Sequence, residues 1–203
     1  MFATEEIARP WFGRVLTAVM GVLALTALVA TAVDGDAIDV ARLAPWMLLL
    51  AGGTWAAFGR PHVAVDAAGV RLVNVIRTVH VPWPAIRAVD TRWALTLVTA
   101  HGTFVAWAAP APGMRAALRA TRQDTPDVPI AQLRGAGMRP GDLPSSPSGD
   151  AAAVVRRRWE ELRAAGHLDE PRLEHERAPV TWHRGTIAAG VALVALCALT
   201  LVV

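Results

Sequence analysis

Side chains able to do chemistry are sparse in this chain, and the densest group lies near its C-terminal end. His167, Asp169, Glu170, Glu174, His175 and Glu176 bring imidazoles and carboxylates together, the donor types that zinc and harder cations take. Their spacing argues against a site, because the histidines do not stand one helical turn apart and Pro171 interrupts the run. Gly135-Ala136-Gly137 lacks the third glycine, the strand and the helix that a nucleotide loop requires. No Ser, Cys or Thr sits in a nucleophile motif. Cys197, the one cysteine, lies inside an apolar run, which excludes a disulfide framework and a thiolate cage and suits a small buried hydrophobe. The chain is expected to be non-catalytic, with no cofactor, no metal and no small-molecule substrate.

The remaining candidates are arginines and one tryptophan. All 20 basic residues are Arg, set against 17 acidic ones for a net charge of +3, too little for a nucleic-acid partner unless concentrated on one face. Arg60, Arg71, Arg77, Arg87 and Arg92 punctuate a stretch of short strands and form either a diffuse basic surface near anionic headgroups or an ordinary solvated face. Arg156, Arg157 and Arg158 adjoin an amphipathic stripe of Val155, Trp159 and Leu162, suited to lying on a membrane, docking on a partner or packing on the protein's own domain. Trp83 stands between Pro82 and Pro84 and is read either as a contact or as a core residue at a corner. Trp83, Arg71, Arg77, Arg156, Arg157 and Arg158 are the candidate contacts for lipid or a partner.

The elements that must position them begin with three greasy segments. Apolar residues make up 54% of the 203-residue chain and the mean hydropathy is +0.37, above the roughly 45–50% apolar usage of soluble domains. Val15 to Val33 gives 19 uncharged residues, Leu43 to Gly59 gives 17 and Thr186 to Val203 gives 18, each close to the length that crosses a bilayer as a helix. Trp46, Trp55, Phe58 and Trp182 fall near the ends of the second and third runs, where amphipathic rings meet headgroups. Ala30-Thr31-Ala32 also resembles a signal-peptide cleavage site. Against cleavage stand Glu5 and Glu6 in the leading segment, the length of the run and the second span close behind it, so a two-helix hairpin is expected. The connector Asp34 to Arg42 holds three Asp against one Arg, a balance of −2, whereas Arg60 to Gly185 holds 17 Arg against 12 acidic residues, a balance of +5. Arginine-rich segments stay inside.

Between the second and third spans the periodicity changes. His62 to Asp66, Val70 to Ile76, Thr78 to Val81, Ile86 to Arg92, Leu95 to Thr99 and Thr103 to Trp107 read as six short strands, with turns at Ala67-Ala68-Gly69 and His101-Gly102. Gly113 to Arg122 suits a helix, with Met114 and Leu118 on one face. Gln123 to Gly149 is dense in Pro, Gly and Ser and reads as a flexible linker. Asp150 is the expected cap of a helix over 150–166, and 167–185 leads into the last span.

Val63-Ala64-Val65-Asp66 with Ala68-Gly69-Val70-Arg71-Leu72, then an arginine-bearing strand into Val81-Pro82-Trp83-Pro84-Ala85-Ile86 and a Leu/Val strand ending at a Gly turn, resembles the pleckstrin-homology-like (PH-like) domain of small bacterial membrane proteins. The resemblance covers residues 1–122 in layout, and Arg158-Trp159-Glu160-Glu161-Leu162 with a closing anchor resembles longer members. It implies a PH-like antiparallel β-barrel or sandwich over 60–122, capped by a helix, behind an N-terminal hairpin. Inositol-phosphate binding does not transfer, because the first hairpin loop, Ala67-Ala68-Gly69, holds no cation.

The expected protein is therefore an α+β membrane protein with three transmembrane helices, an N-terminal hairpin over 1–59 (spans about 15–33 and 43–59) and a C-terminal anchor over 186–203. It would be multi-pass in the cell membrane, with the PH-like domain cytoplasmic and the C-terminus outside. Its expected role is an interaction or scaffold module whose partners are the bilayer and a protein or second copy. The alternatives are a sensor of anionic lipid and an accessory subunit of a transport or secretion complex. The last would use the small-residue pairs Gly52/Ala56, Gly53/Ala57 and Gly185/Ala189.

Overall fold

The computed structural model describes residues 6–8, 10–112, 146–166, 168 and 177–202, which fall into two units. One comprises Met1–Arg9, His62–Asn74 and Thr78–Thr181, and the other Pro10–Pro61, Val75–Arg77 and Trp182–Val203. The expected helix over 113–122, most of the linker and the His167 to Glu176 cluster lie outside the described residues.

In the first unit, runs of Val and Leu fold into antiparallel strands. β1 (Glu6–Ala8), β2 (His62–Val65), β3 (Gly69–Val73), β4 (Arg77–Pro82) and β8 (Val180–Trp182) form one sheet in the order β1-β2-β3-β4-β8, the terminal residues Arg77 and Trp182 being grouped with the second unit. β5 (Ala88–Asp90), β6 (Ala94–Thr99) and β7 (Gly102–Pro110) form a second, three-stranded sheet. Register follows burial, since the pairs Val63↔Leu72, Val65↔Val70, Val70↔Val81 and Leu72↔Val79 all belong to one buried cluster with Leu95, Leu97 and Ala106 of the second sheet. A slip of one residue would turn every one of these side chains to the opposite face. The unit is α+β with antiparallel sheets, as expected.

Helix α3 (Pro147–Ala164) contributes Ala151, Ala152 and Val155 to the same core, with Val154, Trp159 and Leu162 packed beside them. Its cap is Ser146, whose Oγ accepts from the Gly149 N–H at 3.0 Å, rather than the expected Asp150, which lies in the first turn. Pro147 at the first helical position and Arg163 in the last turn complete the end signals. Because its apolar stripe packs on the protein's own sheets, α3 does not present that stripe to a membrane.

Two short edge strands were not expected from the sequence. β1 pairs with β2 over Glu6↔Val65, Ile7↔Ala64 and Ala8↔Val63, and β8 lies beside β4, with the His80 N–H donating to the Pro179 carbonyl at 3.1 Å. The second expected strand, Val70 to Ile76, stops early at Val73. Asn74 instead turns its amide onto β7, with Nδ2 donating to the Val105 carbonyl at 2.9 Å and Oδ1 accepting from the Trp107 N–H at 2.8 Å. The side chain thus mimics a strand residue along the β7 edge that faces away from β6.

In the second unit, α1 (Trp11–Asp34) runs into α2 (Ala37–Thr54) through a short turn at Gly35 and Asp36. Asp36 and Asp39 form a reciprocal cap, with Asp36 Oδ1 accepting from the Ile38 and Asp39 N–H groups at 2.8 and 2.9 Å. α2 ends in a π-helical turn, Trp55–Gly59, closed by the Arg60 N–H on the Trp55 carbonyl at 2.8 Å. Gly13 of α1 packs so closely on this turn that a methyl group would collide with the Phe58 carbonyl. α4 (Arg184–Thr200) runs antiparallel to α2: Arg60 Nη1 donates to Thr186 Oγ1 at 2.6 Å, and fourteen positions along each chain Trp46 Nε1 donates to Thr200 Oγ1 at 3.1 Å. α1, at 24 residues with a stretch of mean hydropathy 2.2, is the helix long and apolar enough to cross a membrane. α2 takes in Asp39 and Arg42, and α4 is a shorter apolar helix of 17 residues, so among the described residues one helix meets that test where three were expected.

Asn74→Asp removes the donor to Val105 and sets a carboxylate against its carbonyl. It should lower stability by about 1–3 kcal/mol, at least as much as Asn74→Ala, in denaturation followed by tryptophan fluorescence. Both variants within about 0.5 kcal/mol of wild type would show that Asn74 does not tie β3 to β7.

Candidate functional site

The two halves of the sequence motif meet in space at the end of the β2–β3 hairpin. Asp66 follows β2, and its Oδ1 accepts from the Ala68 and Gly69 N–H groups, both at 2.9 Å, while its own N–H donates to the Gly69 carbonyl at 3.0 Å. Pro82 ends β4, and Trp83–Ala85 forms a single 3₁₀ turn that folds the corner back onto this loop. There Trp83 Nε1 donates to the Asp66 carbonyl at 3.0 Å and the Trp83 N–H to the Ala68 carbonyl at 3.3 Å. Gly69 is required at the contact because a Cβ would collide with the Val81 carbonyl.

Trp83 is 2% exposed and belongs to the core cluster. It is therefore a packing residue, and its candidacy as a lipid or partner contact is corrected: a ring enclosed on all sides with its indole N–H satisfied has no face to offer.

Asp66 Oδ2 also accepts from Arg71 Nη2 at 3.1 Å, and His80 Nε2 lies 3.7 Å from Oδ1. Burial by itself would raise the Asp66 carboxyl, but the Arg71 hydrogen bond, the two loop amides and the His80 ring together hold it below the usual aspartate range. The loop is thus saturated by its own carboxylate. Amides that would otherwise cradle a phosphate are spent on Asp66, and Arg71 is drawn onto the acid.

Beside this loop lies a cleft of about 100 Å³ lined by Glu6, Val65, Asp66, Val154, Arg157, Arg158 and Glu161. Small-molecule sites run from about 300 Å³ upward, so the cleft has room for a few waters and little else. Its charges are paired: Arg157 Nη2 donates across it to Glu6 at 2.9 and 3.2 Å, and Arg158 Nη1 to Glu161 of the same helix at 3.1 Å. Arg156 Nη2 donates to the Val89 carbonyl at 3.3 Å. All three members of the arginine triplet are directed into their own domain rather than collected into a basic patch. Arg77 belongs to the helical unit, where its guanidinium lies 5.9 Å from the Trp182 ring. The structure thus disperses the candidate contacts. Among the described residues there is no group of three metal-ligating side chains and no buried side-chain polar atom without a partner.

Among the described residues of the sheet unit several large apolar side chains stand exposed, two tryptophans among them. Trp93, in the turn between β5 and β6, is 83% exposed, and Val105 and Trp107, two apart on the outer face of β7, are 47% and 56% exposed. Sequence reasoning passed over them, although Thr103 to Trp107 was read as a strand; which face of a two-sheet unit points outward is decided by where the second sheet lies.

Asp66→Asn keeps an acceptor for the loop amides and loses the charge that Arg71 holds. Because the folded carboxyl titrates lower than the unfolded one, its stabilisation is present above about pH 4 and lost as pH falls through the folded value. The wild-type advantage over Asp66→Asn should be greatest near neutrality and shrink below about pH 4, read as the gap between their unfolding midpoints. A gap unchanged from pH 7 to pH 3, as measured, would mean the ion pair does not favour the fold.

No curated protein and no solved structure matches the chain. Residues 60–136 match the family model described as bacterial PH domain, so the segment that the Asp66 turn and the Trp83 corner organise is a bacterial PH-like domain, as its motif indicated.

Proposed function

We propose that this protein is a non-catalytic, three-span membrane protein that displays its PH-like domain, closed as a small barrel or sandwich, on the cytoplasmic side as a docking module for a partner protein. The observation that carries the docking role is the contrast on the sheet unit. Arg71, Arg157 and Arg158 are paired with Asp66, Glu6 and Glu161, whereas Trp93, Val105 and Trp107 are exposed. Large rings on an otherwise polar surface are the residue type that anchors protein contacts. Lipid sensing through Arg71 and Arg156 to Arg158 has less support, because those side chains are already engaged.

Support for the membrane role comes from the helical unit. α1 carries an apolar surface that is only 6% buried over its most hydrophobic stretch, and Val191, Val194, Leu196 and Leu199 of α4 are exposed. The contact of Trp46 with Thr200 sets the end of α4 level with Trp46, which leaves Asp39 and Arg42 in the turns of α2 beyond it and keeps the apolar part of α2 alongside α4. The sidedness follows from the arginine balance.

Two experiments test this. In a Cys197→Ala background, Asp36→Cys should react with an impermeant thiol reagent in intact cells and a cysteine at position 145 should not; labelling of position 145 from outside would invert the topology. A photo-crosslinking residue at Trp107 should capture a discrete protein in cells, and one at Ala85, buried beside Trp83, should not. Equal capture at both positions, or none at Trp107 and Trp93, would remove the docking role.

A further inference from the structure

Register sets the outward face of the second sheet. Leu95 and Leu97 of β6 and Ala106 of β7 belong to the core, and Phe104 packs against it, so the residues that alternate with them, Thr96, Val98, Thr103 and Val105, turn the other way. Cross-strand pairing lines these up as the rows Asp90–Thr96–Val105 and Ala88–Val98–Thr103. The face is therefore built of short side chains and is framed at its two ends. At one end Arg92 and Trp93 occupy the turn between β5 and β6. The Ala111 N–H donates to the Trp93 carbonyl at 2.9 Å and Ala94 pairs with Pro110, which sets that turn beside the end of β7, just past Trp107. At the other end Arg87 leads into β5, its N–H donating to the Val98 carbonyl at 2.8 Å.

Charge on this sheet is held differently from charge on the first sheet and α3. Arg71, Arg156, Arg157 and Arg158 all have side-chain partners. Arg87 and Arg92 are exposed, and among the described residues neither guanidinium has a hydrogen bond or an ion pair. Asp90, the acid between them, is occupied, its Oδ1 accepting from the Arg92 N–H at 2.9 Å. We infer that the partner's docking segment is an acidic peptide, whose carboxylates meet Arg87 and Arg92 while an apolar side chain rests against Trp93, Val105 and Trp107. The inference rests on the docking role proposed above and adds the chemistry of the partner. Open guanidinium forks match carboxylates, and complementary charge around a ring of apolar anchors orients a partner and rejects wrong ones. A basic segment would meet like charge at both ends of the face. A second copy docked through the same face would bring the same two cations to both sides of the contact.

The test uses the full chain in intact cells with a photo-crosslinking residue at Trp107, and the segment joined to it is identified by mass spectrometry. That segment should be acidic. Arg87→Glu with Arg92→Glu should cut the yield of the adduct about tenfold, the effect expected from losing two exposed ion pairs, and Arg87→Lys with Arg92→Lys should keep most of it. Both positions are exposed, so the unfolding midpoint should stay at the wild-type value, which separates loss of docking from loss of fold. Should the double reversal lower the midpoint, Arg92→Glu alone is read, with a loss of about threefold. Arg177→Glu, at an exposed position in the segment leading into β8, should leave the adduct unchanged. Wild-type yield from the charge-reversed chain, an equal loss from Arg177→Glu, or a joined segment without carboxylates would overturn the inference, as would an adduct to lipid or to a second copy of this chain. A protein adduct indifferent to the reversal leaves the docking role standing and removes the acidic partner alone. No adduct at Trp107 removes the docking role, and the acidic partner with it.

Discussion

The sheet unit depends on the seating of the Trp83 indole against the Asp66 turn. Asp66 pins its own loop through two backbone amides and offers its carbonyl to the indole N–H, so the loop cannot relax without uncovering the ring. Trp83 in turn fixes where β4 ends and the second sheet begins, since Ala85 and Ile86 enter the same core immediately after it. Pro82 and Pro84 donate nothing to a ladder and so terminate pairing on both sides of the ring. The approach demands a residue without a side chain at Gly69, and the Gly69↔Pro82 pair is where β3 and β4 close. Five positions that look unrelated in sequence are thus one packing unit, which explains why the motif is legible at all: each position answers a steric or hydrogen-bonding demand made by another.

Legibility elsewhere tracked how much of an element's signal is local. The strands from His62 to Pro110 advertise themselves through β-branched runs and turn residues, and they were found to within a few residues. β1 and β8 were not, because three residues at a sheet edge carry no periodicity of their own and exist only by pairing with β2 and β4. Asn74 read as mid-strand because nothing local reveals that its amide would replace a backbone pair on β7. The start of α3 was misplaced to Asp150 since Ser146 and Pro147 sit in a Pro/Ser-rich run whose composition suggests a linker. At the candidate site, residue types were legible and their partners were not: the arginine triplet and Arg71 looked like an outward basic surface until Glu6, Val89, Glu161 and Asp66 were placed opposite them.

The two units handle charge in opposite ways. In the sheet unit acids and bases are interleaved, and each half-exposed pair contributes about 0–1 kcal/mol, so their value lies in register. Glu6 reaches Arg157 only if β1 sits one way on β2, which gives a three-residue strand a specificity that its backbone bonds alone would lack. In the helical unit the signs are separated along the sequence of the hairpin, with Asp34, Asp36 and Asp39 near its turn and Arg14 and Arg60 toward its open end. A helix hairpin with acids at its tip and arginines at its open end has a direction in a membrane. The same number of charges shuffled would not.

The π turn at the end of α2 connects that polarity to the packing of the bundle. A π-helical turn holds one residue more than an α-helical one and changes the phase of everything after it. With the Arg60 N–H on the Trp55 carbonyl, the Phe58 carbonyl is brought against Gly13, Gly59 packs on Thr17, and the Arg60 side chain reaches Thr186. Continued as α-helix, α2 would rotate these residues by roughly a hundred degrees and aim Arg60 away from α4. The close seating of Gly13 on the turn and the reach of Arg60 to Thr186 are therefore two results of one inserted residue. Gly13 is the position that makes the insertion tolerable, because any side chain there would force α1 and the turn apart.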